Sequence, residues 1–116
     1  MNIGELSSRA HVSTDALRLY ERRGLIRSER QANGYRDFGP ETVQLVEMIK
    51  LGQRLGFRLR EMEEIVRSMS GGQLSQEETA QILGQKIAEI DQRMADMSVL
   101  RGLLSDALVR ACPLRS

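Results

Sequence analysis

"STDALRLYERRGLIRSERQANGYRDF" covers Ser13–Phe38, where a helical pattern gives way to that of a hairpin. It holds Arg18, Arg22, Arg23, Arg27, Arg30 and Arg36, six arginines in a chain whose net charge is only +1. Up to Arg23 the stretch reads as a helix. Ser13 is a suitable N-cap, and Ala16, Leu17 and either Leu19 or Tyr20 supply an apolar side. Arg22-Arg23-Gly24 closes it, with cations near the negative end of the helix dipole and glycine suited to a left-handed C-terminal position. Beyond Gly24 the helical period is lost. "LIRSERQANGYRDF" is too polar for a buried helix and contains Asn33-Gly34, the pair preferred by a two-residue type I′ hairpin turn.

Working outward toward the N-terminus, "NIGELSSRA" offers Asn2 as N-cap, Glu5 three residues on in a capping-box arrangement, and Ile3 and Leu6 on one face. "HVST" separates it from the second helix. Two short helices joined by a tight turn form a helix-turn-helix. Many such turns use glycine where this chain has His11, so His11 is expected at positive φ as a turn residue, not as a catalytic group. With the hairpin beside it, the unit becomes a winged helix. The second helix could then lie in a major groove with Thr14, Asp15 and Arg18 on its leading turns, while the hairpin offers Arg30, Tyr35 and Arg36 to phosphates. The competing interpretation is a solvated, arginine-rich surface with no ligand.

Toward the C-terminus, "GPETVQLVEMIKLGQRLG" reads as a third helix, with Pro40 in its first turn, Val43, Val46 and Ile49 as its stripe, and Gly56 as its stop. "FRLREMEEIVRSMS" reads as a fourth, with Leu59, Met62, Ile65, Val66 and Met69 inward. Arg54, Arg58 and Arg60 gather at the junction and could reach further phosphates. "SGGQLS" breaks the chain. Then Leu83, Ile87, Ile90, Met94, Met97, Arg101, Leu104 and Leu108 recur at alternating intervals of 4 and 3, a heptad seam with one polar interruption at Arg101. Ser75 to Arg110 would make a helix about 50 Å long. Such a rod overhangs a domain of this size. It either folds back on its own domain or pairs with a second copy, and the second option presents two reading heads to a pseudo-palindromic site.

Composition supports a mainly α chain. Aromatic residues make up 3% of the 116 residues, low for a sheet protein. Residues 1–60 carry 11 Lys+Arg against 7 Asp+Glu, and residues 61–116 carry 6 against 9. A basic half followed by an acidic half suits a polyanion on one side and protein on the other. One cysteine, Cys112, excludes an internal disulfide and fits the cytoplasm, and no run is apolar and long enough to span a membrane. Enzyme chemistry is poorly served. No paired carboxylates stand out, the lone His11 and Cys112 lie about 100 residues apart, and there is no phosphate-cradling glycine loop. A protein that only dimerises would explain the seam but leave Arg18, Tyr35 and Arg36 without purpose.

"MNIGELSSRAHVSTDALRLYERRGLI", "NGYRDF" and "LGFRLREMEEI", followed by the long helix, resemble the MerR family of bacterial transcription regulators over nearly the whole chain. The resemblance implies a winged helix-turn-helix DNA-binding domain over residues 1–70, a coiled-coil dimerisation helix over 75–110 and a short tail over 111–116. It implies a homodimer, joined through an antiparallel coiled coil, on double-stranded promoter DNA. There it distorts the spacer in response to an effector, with RNA polymerase as partner. By position, Thr14 and Arg18 match recognition-helix contacts, Tyr20, Tyr35 and Arg36 match backbone contacts, and Arg58 lies beside a second wing. Leu83, Ile87, Ile90, Met94, Met97, Leu104 and Leu108 form the dimer seam. Metal sensors of the family usually pair cysteines after this helix, and many have another at its start, where this chain has "GGQLSQEE". "ACP" at 111–113 resembles the beginning of the metal-binding loop of copper sensors. One thiolate is too few for a soft-metal site. No cofactor is therefore expected. The alternative is a copper-type, metal- or thiol-responsive sensor that uses Cys112, the sequence being a trimmed part of a longer chain.

Overall fold

The computed structural model describes residues 1–69 and 74–112 and divides the chain into two compact units, Met1–Gln73 and Leu74–Ser116. In the first unit, α1 (Ile3–Ala10) and α2 (Thr14–Arg22) precede a hairpin of β1 (Glu29–Arg30) and β2 (Arg36–Asp37), then α3 (Glu41–Arg54) and α4 (Leu59–Met69). The second unit holds α5 (Gln76–Ala111). No helix among the described residues is long and apolar enough to cross a membrane. Gly71 and Gly72 of the expected break, and the tail beyond Cys112, lie outside the described residues.

The helix ends follow local chemistry. Asn2 accepts the Glu5 amide at 2.8 Å and Ser13 the Ala16 amide at 3.1 Å, each satisfying one orphan donor of a first turn. His11 takes φ 56°, ψ 46° at the end of α1, the left-handed turn expected of it. Its carbonyl receives the Lys50 ammonium at 2.7 Å, which ties α3 to the turn and puts a cation at the negative end of α1. At the end of α2, Gly24 at φ 76° lets the Leu25 amide reach back to the Tyr20 carbonyl at 2.9 Å and the Gly24 amide to the Glu21 carbonyl at 3.1 Å. This closure turns Leu25 and Ile26 into the core.

α1 packs on both α2 and α3, and α3 packs on α4. Leu6, Leu17, Val46, Ile49, Met62 and Val66 meet in one core with Leu25, Ile26, Phe38 and Phe57. Ile3, Ala16, Val43, Leu59 and Ile65 lie partly buried around it. Met69 does not join them. It is 53% exposed at the last residue of α4.

The hairpin turn also differs from expectation. Glu29 pairs with Asp37 and Arg30 with Arg36 in antiparallel register. The Gln31 amide bonds to the Tyr35 carbonyl and the Gly34 amide to the Gln31 carbonyl, each at 2.9 Å. Gly34 has φ 84°, but Asn33 is not in the positive-φ region that a type I′ turn requires. The connection is therefore the three-residue loop Ala32-Asn33-Gly34, with glycine at its left-handed position. Asn33 instead uses its side chain, Oδ1 accepting the Tyr35 amide at 3.1 Å.

Tyr20 is the polar member of the core. It is 5% exposed, and its hydroxyl donates to Gln53 Oε1 at 2.7 Å. Burial pushes its phenol above the ordinary value of 10.0. Above that pH the unfolded chain ionises Tyr20 while the fold still resists, so stability is retained below about pH 10 and falls as pH rises toward the folded value. Tyr20→Phe is expected to cost about 0.5–1.5 kcal/mol at neutral pH through loss of the hydrogen bond. It should also flatten the alkaline fall, as read by denaturant unfolding at a series of pH values.

Candidate nucleic-acid interface

The arginines of the opening stretch become a surface because the core brings two elements, α2 and the hairpin, side by side. α2 is amphipathic. Leu17 and Tyr20 are buried, and the opposite side carries Arg18 and Arg22 one turn apart. The Arg18 guanidinium lies 3.2 Å from Asp15 Oδ1. Both side chains are largely solvated, and exposed pairs of this kind are worth about 0–1 kcal/mol, so Arg18 can exchange that partner for a stronger one. Thr14 is half-buried in the first turn.

The hairpin contributes the second set. Arg30 and Arg36 sit directly opposite each other on β1 and β2, a like-charged pair that is unfavourable in isolation. Glu21 relieves it, its Oε1 lying 3.3 Å from Arg36 Nε. Tyr35 is 71% exposed at the hairpin loop, an aromatic ring left in water beside Arg36.

Arg36 is the residue at which the two sets join. One cleft is lined by Arg18, Glu21, Arg22 and Arg36, bringing α2 and β2 together. A second is lined by Asn2, Ile3, Arg30, Gly34, Tyr35 and Arg36, between the start of α1 and the hairpin. Four of the sequence-derived residues, Arg18, Arg30, Tyr35 and Arg36, thus line two clefts that meet at Arg36. Thr14 and Arg58 line neither cleft. Arg58 is exposed just ahead of α4, with its amide bonded to Glu61 Oε1 at 3.1 Å. Tyr20 requires a correction. Buried, with its hydroxyl committed to Gln53, it is a core residue behind α2 and not part of either cleft. Arg22 and Glu21 were not singled out from sequence as site residues. The signal was present in their spacing of four and three residues from Arg18 on one helix.

α5 supplies a different kind of surface. Ser75 and Glu78 form a reciprocal capping box at its start, and none of its described residues is buried. Ile87, Ile90, Met94, Met97, Leu104 and Leu108 stand exposed, and Leu83 is partly covered. An apolar stripe of this extent in water calls for a cover. Cys112 is exposed at the C-terminal end of α5. Among the described residues no group of three or more His, Cys, Asp or Glu is placed to hold a metal ion.

Residues 1–69 match the family profile described as MerR HTH family regulatory protein, and residues 43–107 match one described as MerR, DNA binding. The chain is 34% identical over 112 residues to the HTH-type transcriptional regulator HmrR of Rhizobium leguminosarum bv. viciae, covering 97% of this chain and 86% of that protein. It is 34% identical over 116 residues to the mercuric resistance operon regulatory protein of Shigella flexneri, covering 99% of this chain and 78% of that one. Its fold superposes with a TM-score of 0.79 on a MerR family transcriptional regulator from Listeria monocytogenes, at 28% identity over 98% of this chain and 88% of that one.

Proposed function

The chain belongs to the MerR HTH family of regulatory proteins, and on that premise we propose that the edge formed by α2 and the hairpin is the surface with which it grips promoter DNA. DNA-binding transcription regulation by a homodimer on promoter DNA comes with the family. The residue assignment is the proposal. The observation that carries it is the cleft shared by Arg18, Arg22 and Arg36, which turns three cations from two elements toward one line of phosphates.

In this reading α2 enters the major groove, Arg18 reaches a base edge, and Thr14 sits at the leading turn. Arg22, Arg30, Tyr35 and Arg36 hold the backbone, and Arg58 touches it further along. Phosphate contacts on both half-sites sustain a bent, untwisted spacer, and that deformation controls access of RNA polymerase in the cytoplasm. Replacing Arg36 by Ala is expected to weaken binding to every sequence about equally and to reduce the salt slope by about 1. Arg18→Ala should cost roughly 1–3 kcal/mol and relax specificity at one base pair. A gel-shift titration over a range of salt, using a duplex that the wild-type protein enriches from a random pool, reads both. Full affinity in both variants contradicts the assignment.

The α5 stripe is proposed as the homodimer seam, since a second copy offers an identical stripe and closes both. Placing Asp at Ile90 and Met97 together should give a monomer by sedimentation equilibrium. An unchanged dimer would put the interface elsewhere.

Metal responsiveness is the second reading, favoured by the likeness to a mercuric resistance operon regulator and by the exposed thiol at Cys112. A single thiolate does not by itself complete a soft-metal site. Elemental analysis of wild type beside Cys112→Ser decides. Metal retained by the first and lost by the second supports this reading, and no metal on either removes it.

A further inference from the structure

Glu21 is the only acidic residue lining a cleft otherwise made of Arg18, Arg22 and Arg36. A carboxylate there repels the phosphates that the cleft is proposed to meet, so its presence asks for a reason. Both of its oxygens are engaged. Oε1 lies 3.3 Å from Arg36 Nε, and Oε2 accepts the Ser28 hydroxyl at 2.5 Å. Ser28 immediately precedes β1 at the base of the hairpin, and Arg36 opens β2 opposite Arg30 toward its loop end, so one side chain of α2 reaches both arms of the hairpin. The Glu21 side chain is 21% exposed, more enclosed than either partner of the Arg18–Asp15 pair. Partial enclosure and two simultaneous partners separate it from ordinary surface ion pairs, which contribute little.

We infer that Glu21 is the positioning residue of the DNA face, setting the angle of the hairpin against α2 and the orientation of the Arg36 guanidinium. The inference rests on the reading of that face given above. Glu21 faces Arg36 on its Nε side as an ion pair, which leaves the four Nη–H donors turned to phosphate oxygens. The arrangement orders a long, flexible side chain before DNA arrives, so less freedom is lost on binding. Glu21 thereby trades a small loss of general attraction for a gain in the geometry that a particular duplex rewards. A residue of this kind raises the ratio of specific to non-specific affinity without touching DNA.

The test is a double-mutant cycle on Glu21 and Arg36, with affinities measured for the selected duplex and for a shuffled duplex of the same composition. Glu21→Gln removes the charge and keeps the shape. It is expected to leave shuffled-duplex affinity unchanged or slightly higher, while affinity for the selected duplex falls about tenfold, in the range of coupling seen between contacting residues. In the Arg36→Ala background the same substitution should have a clearly smaller effect on the selected duplex, the remainder acting through Ser28. An unchanged specific-to-shuffled ratio in Glu21→Gln overturns the inference, and so does an equal fall with and without Arg36. If Arg36→Ala alone binds the selected duplex with full affinity, the assignment of the DNA face fails instead. Circular dichroism checks folding. Should Glu21→Gln not fold, Ser28→Ala replaces it, leaving the carboxylate and freeing one oxygen. A smaller fall in the same ratio supports the inference, and an unchanged ratio overturns it.

Discussion

Leu25 and Ile26 on one side of the hairpin, and Phe38 on the other, are each buried in the core of the first unit. This anchoring places the hairpin, and with it the proposed DNA face. β1 and β2 have two residues each, too short a ladder to be stable alone, and most of their side chains face water. Their position is therefore inherited from the chain that enters and leaves them. The Gly24 closure drives Leu25 and Ile26 inward, and the Phe38 amide bonds to the Met1 carbonyl at 2.7 Å as its ring enters the core. Glu21 adds a polar tie from α2 to both arms of the hairpin, through Ser28 and Arg36. Arg36 stands beside Arg18 and Arg22 because apolar groups on either side of the hairpin have nowhere else to go.

Charge acts locally in this chain. A net of +1 would give weak attraction to a polyanion if it were spread evenly, but cations are concentrated on α2 and the hairpin. The acidic residues among them differ in function. Asp15 forms a solvated, exchangeable pair, whereas Glu21 is partly enclosed and bonded to two segments. Arg23, at the end of α2, pairs with Glu63 on α4 and belongs to the packing of the unit rather than to the edge.

Much of this was legible in sequence because it is written in local rules. Asn2 and Ser13 announce helix starts, Gly24 and Gly56 announce ends, and His11 falls where a left-handed residue was needed. The seam of α5 is a period that can be counted. What was misread depended on information that is not local. Asn-Gly requires positive φ at glycine in two kinds of hairpin turn, and only the pairing of Gln31 with Tyr35 distinguishes them. Met69 continues the apolar period of α4 at its last residue, yet more than half of it is exposed in the first unit. Tyr20 has a ring fit for a core and a hydroxyl fit for a phosphate, and Gln53, distant in sequence, settles which is used. Glu21 gains its role only when Ser28 and Arg36 fold onto it.

If α2 and the hairpin meet DNA together, both segments lose solvent access in the same event. Hydrogen–deuterium exchange of the full chain, with and without the selected duplex, tests it most directly. Slowed exchange on binding should concentrate in Thr14–Arg22 and in Glu29–Asp37, both segments responding together. Protection confined to α5, or absent from the hairpin while α2 is protected, would contradict the account.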